Sequence, residues 1–193
     1  MIDRAKTYEK IRTKFGKLST SQVEGFENIF NTWDELKTKE KDKRHLCYML
    51  ATAWHETGKT MQPIAEYGKG KTRVYGKKVK HSGVLYSDYD KIYYGRGYVQ
   101  LTWYENYQLM GRLLGANLLA DPELAMTPYM AAKIMFEGML KGSSSVGDFT
   151  GKCLEMYFNQ TTEDPFNARR IINGLDCAEL IKGYYEKFVS CIV

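Results

Sequence analysis

The chain has 193 residues, 44% of them hydrophobic and 26% charged, with a formal net charge of +5. That length carries one well-packed domain (residues 1–193) rather than two of ordinary size, and the balance excludes a disordered polymer. No apolar run reaches the length of a membrane span, and MIDRAKTYEKIRTKFGK has no apolar stretch of the secretion-signal kind, so the expectation is a protein made in the cytoplasm.

In chain order, the first predicted element lies over residues 18–33. There Ser21 and Glu24 have the S-x-x-E spacing of a capping box, and Val23, Phe26, Ile29, Phe30 and Trp33 share one side of a helix. The stretch from Lys37 to Arg44 mixes both signs and reads as solvated surface. A second helix is expected over residues 42–57, with Leu46, Met49, Leu50, Ala53 and Trp54 at three-to-four spacing and Gly58 as its stop. From Gly68 to Tyr94 glycines recur and short β-prone pieces alternate with lysines, which predicts a small hairpin or irregular sheet. Helices return over residues 103–114, 127–140, 146–159, 165–173 and 178–188, with Pro122 and Pro128 as first-turn prolines and the cluster from Gly142 to Gly147 as a loop. The resulting fold class is mainly α, a helical domain with one β insertion after the second helix and a cleft between them.

The run from Lys69 to His81 (KGKTRVYGKKVKH) is almost purely basic and suits a polyanion, whether nucleic acid, membrane surface or anionic wall polymer. No helix-turn-helix or RNP-like motif accompanies it, so no nucleic-acid partner is expected. Cys47, Cys153, Cys177 and Cys191 lack CxxC spacing and are expected to be free thiols, mostly buried. His55-Glu56 begins an H-E-x-x-H pattern, but the second histidine is missing, so no metal is expected.

Glu56 closes the second helix beside an apolar stripe. The negative end of the helix dipole and partial burial both favour a protonated carboxyl there, the property of a general acid. His55 beside it reads as a packed or orienting residue. Glycoside hydrolysis needs a second carboxyl across the scissile bond. Glu66 is the nearest downstream candidate, with Asp88 and Asp90 as rivals and Glu105 less favoured. Residue chemistry alone leaves that choice open.

AWHETGKTMQPIAEYG followed by YYGRGYVQLTWYENY resembles the signature of glycoside hydrolase family 19, the chitinases and their phage endolysin relatives. ARRIINGLD, at residues 168–176, resembles the family's C-terminal Arg/Ile/Asn-Gly element. The resemblance implies a two-lobed lysozyme-like fold and an inverting mechanism without metal or organic cofactor. It assigns Glu56 as general acid, Glu66 as the second glutamate of the endolysin branch, and Thr102 as a holder of the attacking water. Gln100, Asn106 and Asn173 fall on sugar-contacting positions. His55, Tyr93, Tyr94 and Arg96 count with the substrate-binding residues, and Gly95 and Gly97 with the structural ones. The two carboxyl groups are then expected about 6.5–9.5 Å apart.

The expected substrate is peptidoglycan, cut by an endolysin-type monomer that reaches the wall through a holin-like pore, with the basic run facing an anionic envelope. A chitinase is the alternative, and a catalytically dead wall-binding module the other.

Overall fold

The computed structural model describes residues 2–36, 41–140 and 149–193. Among the described residues there are six α-helices: α1 (Arg4–Phe15), α2 (Thr20–Glu35), α3 (Lys43–Glu56), α4 (Tyr104–Leu114), α5 (Pro128–Met139) and α6 (Ala178–Cys191). Two strands, β1 (Ile64–Ala65) and β2 (Arg96–Gly97), pair antiparallel. α3 lies at the centre, every residue from Leu46 to Trp54 buried. α6 packs along α3, α1 packs on α6, and α2 packs on α5. A single cluster of buried apolar side chains runs from Ile2 to Ile192.

Local chemistry sets the helix ends. α2 begins with a capping box, but its members are Ser19 and Gln22. Ser19 Oγ accepts the Gln22 N–H at 3.1 Å and Gln22 Oε1 accepts the Ser19 N–H at 2.8 Å. Ser21 and Glu24, the expected pair, already lie within the helix, because it starts at Thr20. α3 is capped by Asp42, whose carboxylate accepts the Arg44 N–H at 2.9 Å. It ends at Glu56 with Thr57 as its C-cap, and Gly58 just beyond turns the chain away at φ +57°. α1 has no counterpart among the elements expected from the sequence. Its buried residues are only Thr7, Tyr8 and Ile11, a stripe too narrow and too polar to register as a periodic signal.

The predicted β insertion has its pairing in a different place. The two-stranded sheet closes the base of the insertion, joining Ile64 to Gly97 and Ala65 to Arg96. Inside it, the paired backbone reduces to a bridge between Val79 and Leu85, preceded by a 3-10 turn at Val74–Lys77. Positive φ at Gly68, Lys69, Gly70 and Lys78 breaks the extended runs the sequence suggested. Residues 146–148 of the helix expected over 146–159 lie outside the described residues; the rest of it and the helix expected over 165–173 are instead short 3-10 turns at Leu154–Met156 and Asn167–Ile171, with Gly151 at φ +74° and a bridge from Phe158 to Glu163. Pro122 likewise opens a 3-10 turn, Pro122–Met126, whereas Pro128 opens α5 as expected. The Gly142 to Gly147 cluster and the segment 37–40 of the mixed-charge stretch lie outside the described residues. Cys47, Cys153 and Cys191 are buried free thiols and Cys177 is exposed. Burial pushes the Cys47 thiol up to about 12.

One contact fixes how α2 meets the end of α3. A Cβ on Gly25 would stand 1.7 Å from the Met61 carbonyl oxygen, and Met61 is itself held at φ +55°. Neither backbone has room to give. Gly25→Ala is therefore expected to destabilise the fold by about 1–3 kcal/mol, read as a lower midpoint in thermal unfolding. An unchanged midpoint would show that the two segments are not locked together.

Candidate active site

The end of α3 is placed by an aromatic cluster. Trp54 meets Phe15 edge-on at 5.0 Å and stacks on Phe26 at 6.2 Å, while Phe188 of α6 stacks on Phe15 at 4.5 Å. One turn on, the Thr57 hydroxyl donates to the Ala53 carbonyl at 2.7 Å and accepts the Met61 N–H at 3.0 Å. Glu56 sits between these anchors with its side chain 15% exposed. Its Oε1 accepts from Nη1 of Arg169 at 2.6 Å, and Arg169 is 3% exposed and also donates from Nε to the Asp176 carbonyl at 2.9 Å. A buried guanidinium so placed gives Glu56 a short, charge-assisted hydrogen bond from the far side of the fold. Arg169 lies within ARRIINGLD, where nothing local to the sequence marks it as the partner of Glu56.

Glu66 follows β1. Its Oε1 accepts from the Tyr75 hydroxyl at 2.6 Å, its Oε2 from the Gly95 N–H at 3.1 Å, and Nε of Arg73 stands 3.9 Å away. Both oxygens therefore accept hydrogen bonds, with a cation nearby. Burial and the acceptor on Glu66 push the Tyr75 hydroxyl up to about 12, so it stays a donor through neutral pH. Of the rivals, Asp88 accepts from Tyr104, Asp90 pairs with Lys78, and Glu105 accepts the His81 and Ser82 N–H groups, so all three are occupied in holding the insertion.

Beside Glu56 lies a cavity of about 330 Å³ lined by Glu56, Tyr75, Gln100, Thr102, Trp103, Asn106 and Asn173, with Phe149, Thr150 and Ile172 also in its wall; Glu66 is not in that lining and meets it through its hydrogen bond from Tyr75. Thr102 donates its hydroxyl to the Gln100 carbonyl at 2.7 Å, which leaves the oxygen's lone pairs to accept a hydrogen. Asn106 donates to the Thr102 carbonyl at 2.9 Å, and Gln100 donates to the Ile64 carbonyl at 3.1 Å. Gln100 and Trp103 hold φ of +54° and +76°, strained for residues with side chains and of the kind that clusters at working sites. Gly95 fits beneath them, since a Cβ there would come within 2.7 Å of Gln100 Oε1. A larger cavity of about 1230 Å³, lined by Trp33, Arg44, His45, Lys133 and Phe158, lies apart from both glutamates. The smaller one, with Glu56 in its wall, is the candidate active site.

Four predicted binding residues do not line that cavity. Tyr93 is wholly buried and donates to the Leu119 carbonyl at 2.8 Å. Arg96, 3% exposed, bonds Glu123 and the Tyr107 hydroxyl, and its guanidinium lies 3.5 Å over the ring of the buried Tyr94. His55 is part-buried on α3. The Tyr-Tyr-Gly-Arg element therefore builds the frame beneath the site. Arg169, Tyr75 and Trp103 are the residues that sequence reasoning missed. The first lay inside a quoted motif, the second inside a run read only for charge, and the third next to Thr102.

The sequence profile described as Chitinase class I, glycoside hydrolase family 19, matches residues 22–141. The chain belongs to glycoside hydrolase family 19. Among curated relatives, an endochitinase of Arabidopsis thaliana is 38% identical over 92 residues, 46% of this chain and 29% of its own length. Chitinase 1 of Oryza sativa subsp. japonica is 35% identical over 95 residues, 42% of this chain and 28% of its own. The chain thus spans less than a third of these relatives. In fold it resembles a bacterial family 19 chitinase, with a TM-score of 0.61 at 20% identity over 95% of this chain and 92% of that one. Chitinase C from Streptomyces griseus gives 0.57 at 23%, over 95% and 74%. The mainly helical architecture with a small sheet is that of the family.

Proposed function

We propose that the chain hydrolyses the β-1,4 bond of a polymer of N-acetylated amino sugars, with Glu56 as general acid and Glu66 as general base. The observation that carries this reading is a mostly buried carboxyl on the wall of a polar, aromatic-edged cavity that also holds Thr102 and the Tyr75 partner of Glu66. Glu56 protonates the glycosidic oxygen as the bond to the sugar breaks. The carboxylate left behind already faces the Arg169 guanidinium, which stabilises the charge the step creates. Glu66, surrounded by donors, takes a proton from a water whose hydrogen Thr102 Oγ1 accepts, and that water attacks from the opposite face with inversion. Trp103 and Tyr75 offer flat apolar edges to a pyranose ring.

The relatives bring chitin forward as the substrate, ahead of the peptidoglycan that the sequence reading favoured. Peptidoglycan remains the second reading. It is supported by the resemblance of the Glu56 and Glu66 placement to the endolysin branch and by the exposed basic run. Incubating the full chain with chitin oligomers and, separately, with purified sacculi separates the readings. Release of reducing ends from the oligomers supports a chitinase, and soluble muropeptides identified by mass spectrometry support a wall hydrolase. Neither product from either polymer would leave a binding module and overturn the enzyme reading.

Arg169→Lys keeps the charge but loses the planar fork that reaches both Glu56 and the Asp176 carbonyl. Turnover is expected to fall roughly 10-fold with little change in KM, as for a group that acts on the transition state. Unchanged kcat would remove Arg169 from the mechanism.

A further inference from the structure

The insertion between the two strands carries surface that the cavity does not use. Between Tyr67 and Ser87 the chain holds Lys69, Lys71, Arg73, Lys77, Lys78 and Lys80, and no Asp or Glu. Arg73 faces Glu66, Lys78 pairs with Asp90, and Lys80 lies 4.4 Å over the ring of Tyr104. Lys69, Lys71 and Lys77 are exposed. So are apolar side chains from the same stretch: Tyr67 fully, Leu85 at 72%, and Val74 and Val84 at 59% each.

This exposure belongs to a loop fastened at many points. The His81 and Ser82 N–H groups donate to Glu105, and Val79 bridges Leu85. Tyr75 and His81 set their rings edge-on to Trp103 at 5.2 and 5.0 Å, and Gly76 seats against the Gly70 carbonyl so closely that a Cβ would stand 1.9 Å from it. A segment held this way keeps its aliphatic side chains in water unless something covers them.

We propose that this face docks on an anionic lipid surface, with Val74, Val84 and Leu85 entering the headgroup boundary and Lys69, Lys71 and Lys77 meeting lipid phosphates. Charge complementarity argues for an anionic partner. The exposed aliphatic groups argue for lipid over a soluble polyanion, since only a bilayer rewards both together. Because Tyr75 and Trp103 join the loop to the cavity wall, docking holds the cleft beside the membrane face. The inference does not depend on which bond the site cuts.

Co-sedimentation of the full chain with phosphatidylglycerol/phosphatidylcholine vesicles, against phosphatidylcholine alone, tests it. Binding is expected on the anionic vesicles and should weaken as salt rises. The triple variant Lys69→Gln, Lys71→Gln, Lys77→Gln should lower the partition coefficient at least roughly 10-fold. Val84→Ser with Leu85→Ser should lower it further at a salt concentration where the lysines are screened. Both variants should keep the circular dichroism and the activity on soluble oligosaccharide of the parent. Equal binding to both vesicle types would overturn the proposal. So would retention on heparin or polyphosphate that matches vesicle binding and ignores the Val84 and Leu85 substitutions, because the loop would then read charge alone.

Discussion

Glu56→Gln is expected to lower kcat by about 10²–10⁴-fold on a natural β-1,4-linked polymer, the span that a positioned general acid supplies. The amide keeps the size of the side chain, and its oxygen still accepts from Arg169 Nη1 where the carboxylate accepts at 2.6 Å. It has no proton to give to a leaving oxygen. KM should stay within a few-fold, because the cavity lining at Trp103, Asn106 and Asn173 is untouched. Any weakening of the hydrogen bond to the buried Arg169 is expected to cost at most about 1–3 kcal/mol of stability. Thermal unfolding followed by circular dichroism separates that cost from lost chemistry, since a modestly lower midpoint cannot account for a hundred-fold loss well below it.

Glu66→Gln is expected to produce a loss of similar size, about 10²–10⁴-fold in kcat, for a different reason. Glu66 faces the Tyr75 hydroxyl, the Gly95 N–H and Arg73, and a glutamine has one oxygen to offer those donors where the carboxylate has two. The water loses its proton acceptor while the acid at Glu56 remains. Stopped assays on sugar oligomers should therefore show substrate still bound and bond cleavage nearly absent. Wild-type turnover in this variant would transfer the base role to another carboxylate. Asp88, Asp90 and Glu105 are each tied into the insertion, so that outcome would require one of them to be released.

Much of this arrangement was legible in the residues. α3 announced itself through its unbroken apolar face and Gly58, and Glu56 fell at its end because the period of the buried positions put it there. Thr102, Gln100, Asn106 and Asn173 were expected at the site and do share its cavity. Other features depended on long-range contacts that no local pattern carries. Arg169 reaches Glu56 from a 3-10 turn more than a hundred residues away, and the pairing of Ile64 with Gly97 joins two strands too short to show alternation. Tyr93 and Arg96 misled for a physical reason. Tyrosine and arginine look like sugar ligands in a motif, but here burial spends their polar atoms on the Leu119 carbonyl and on Glu123.

Leaving-group dependence tests the central claim most directly. Aryl glycosides of an N-acetylglucosamine oligomer, graded from poor leaving groups to dinitrophenolate, differ in their need for a proton at the departing oxygen. With Glu56 as the acid, Glu56→Gln should be crippled on the poor leaving groups and approach parent turnover on dinitrophenolate, whereas Glu66→Gln should stay slow throughout. A Glu56→Gln deficit of the same size on every leaving group, or none on any, would contradict proton donation from the end of α3.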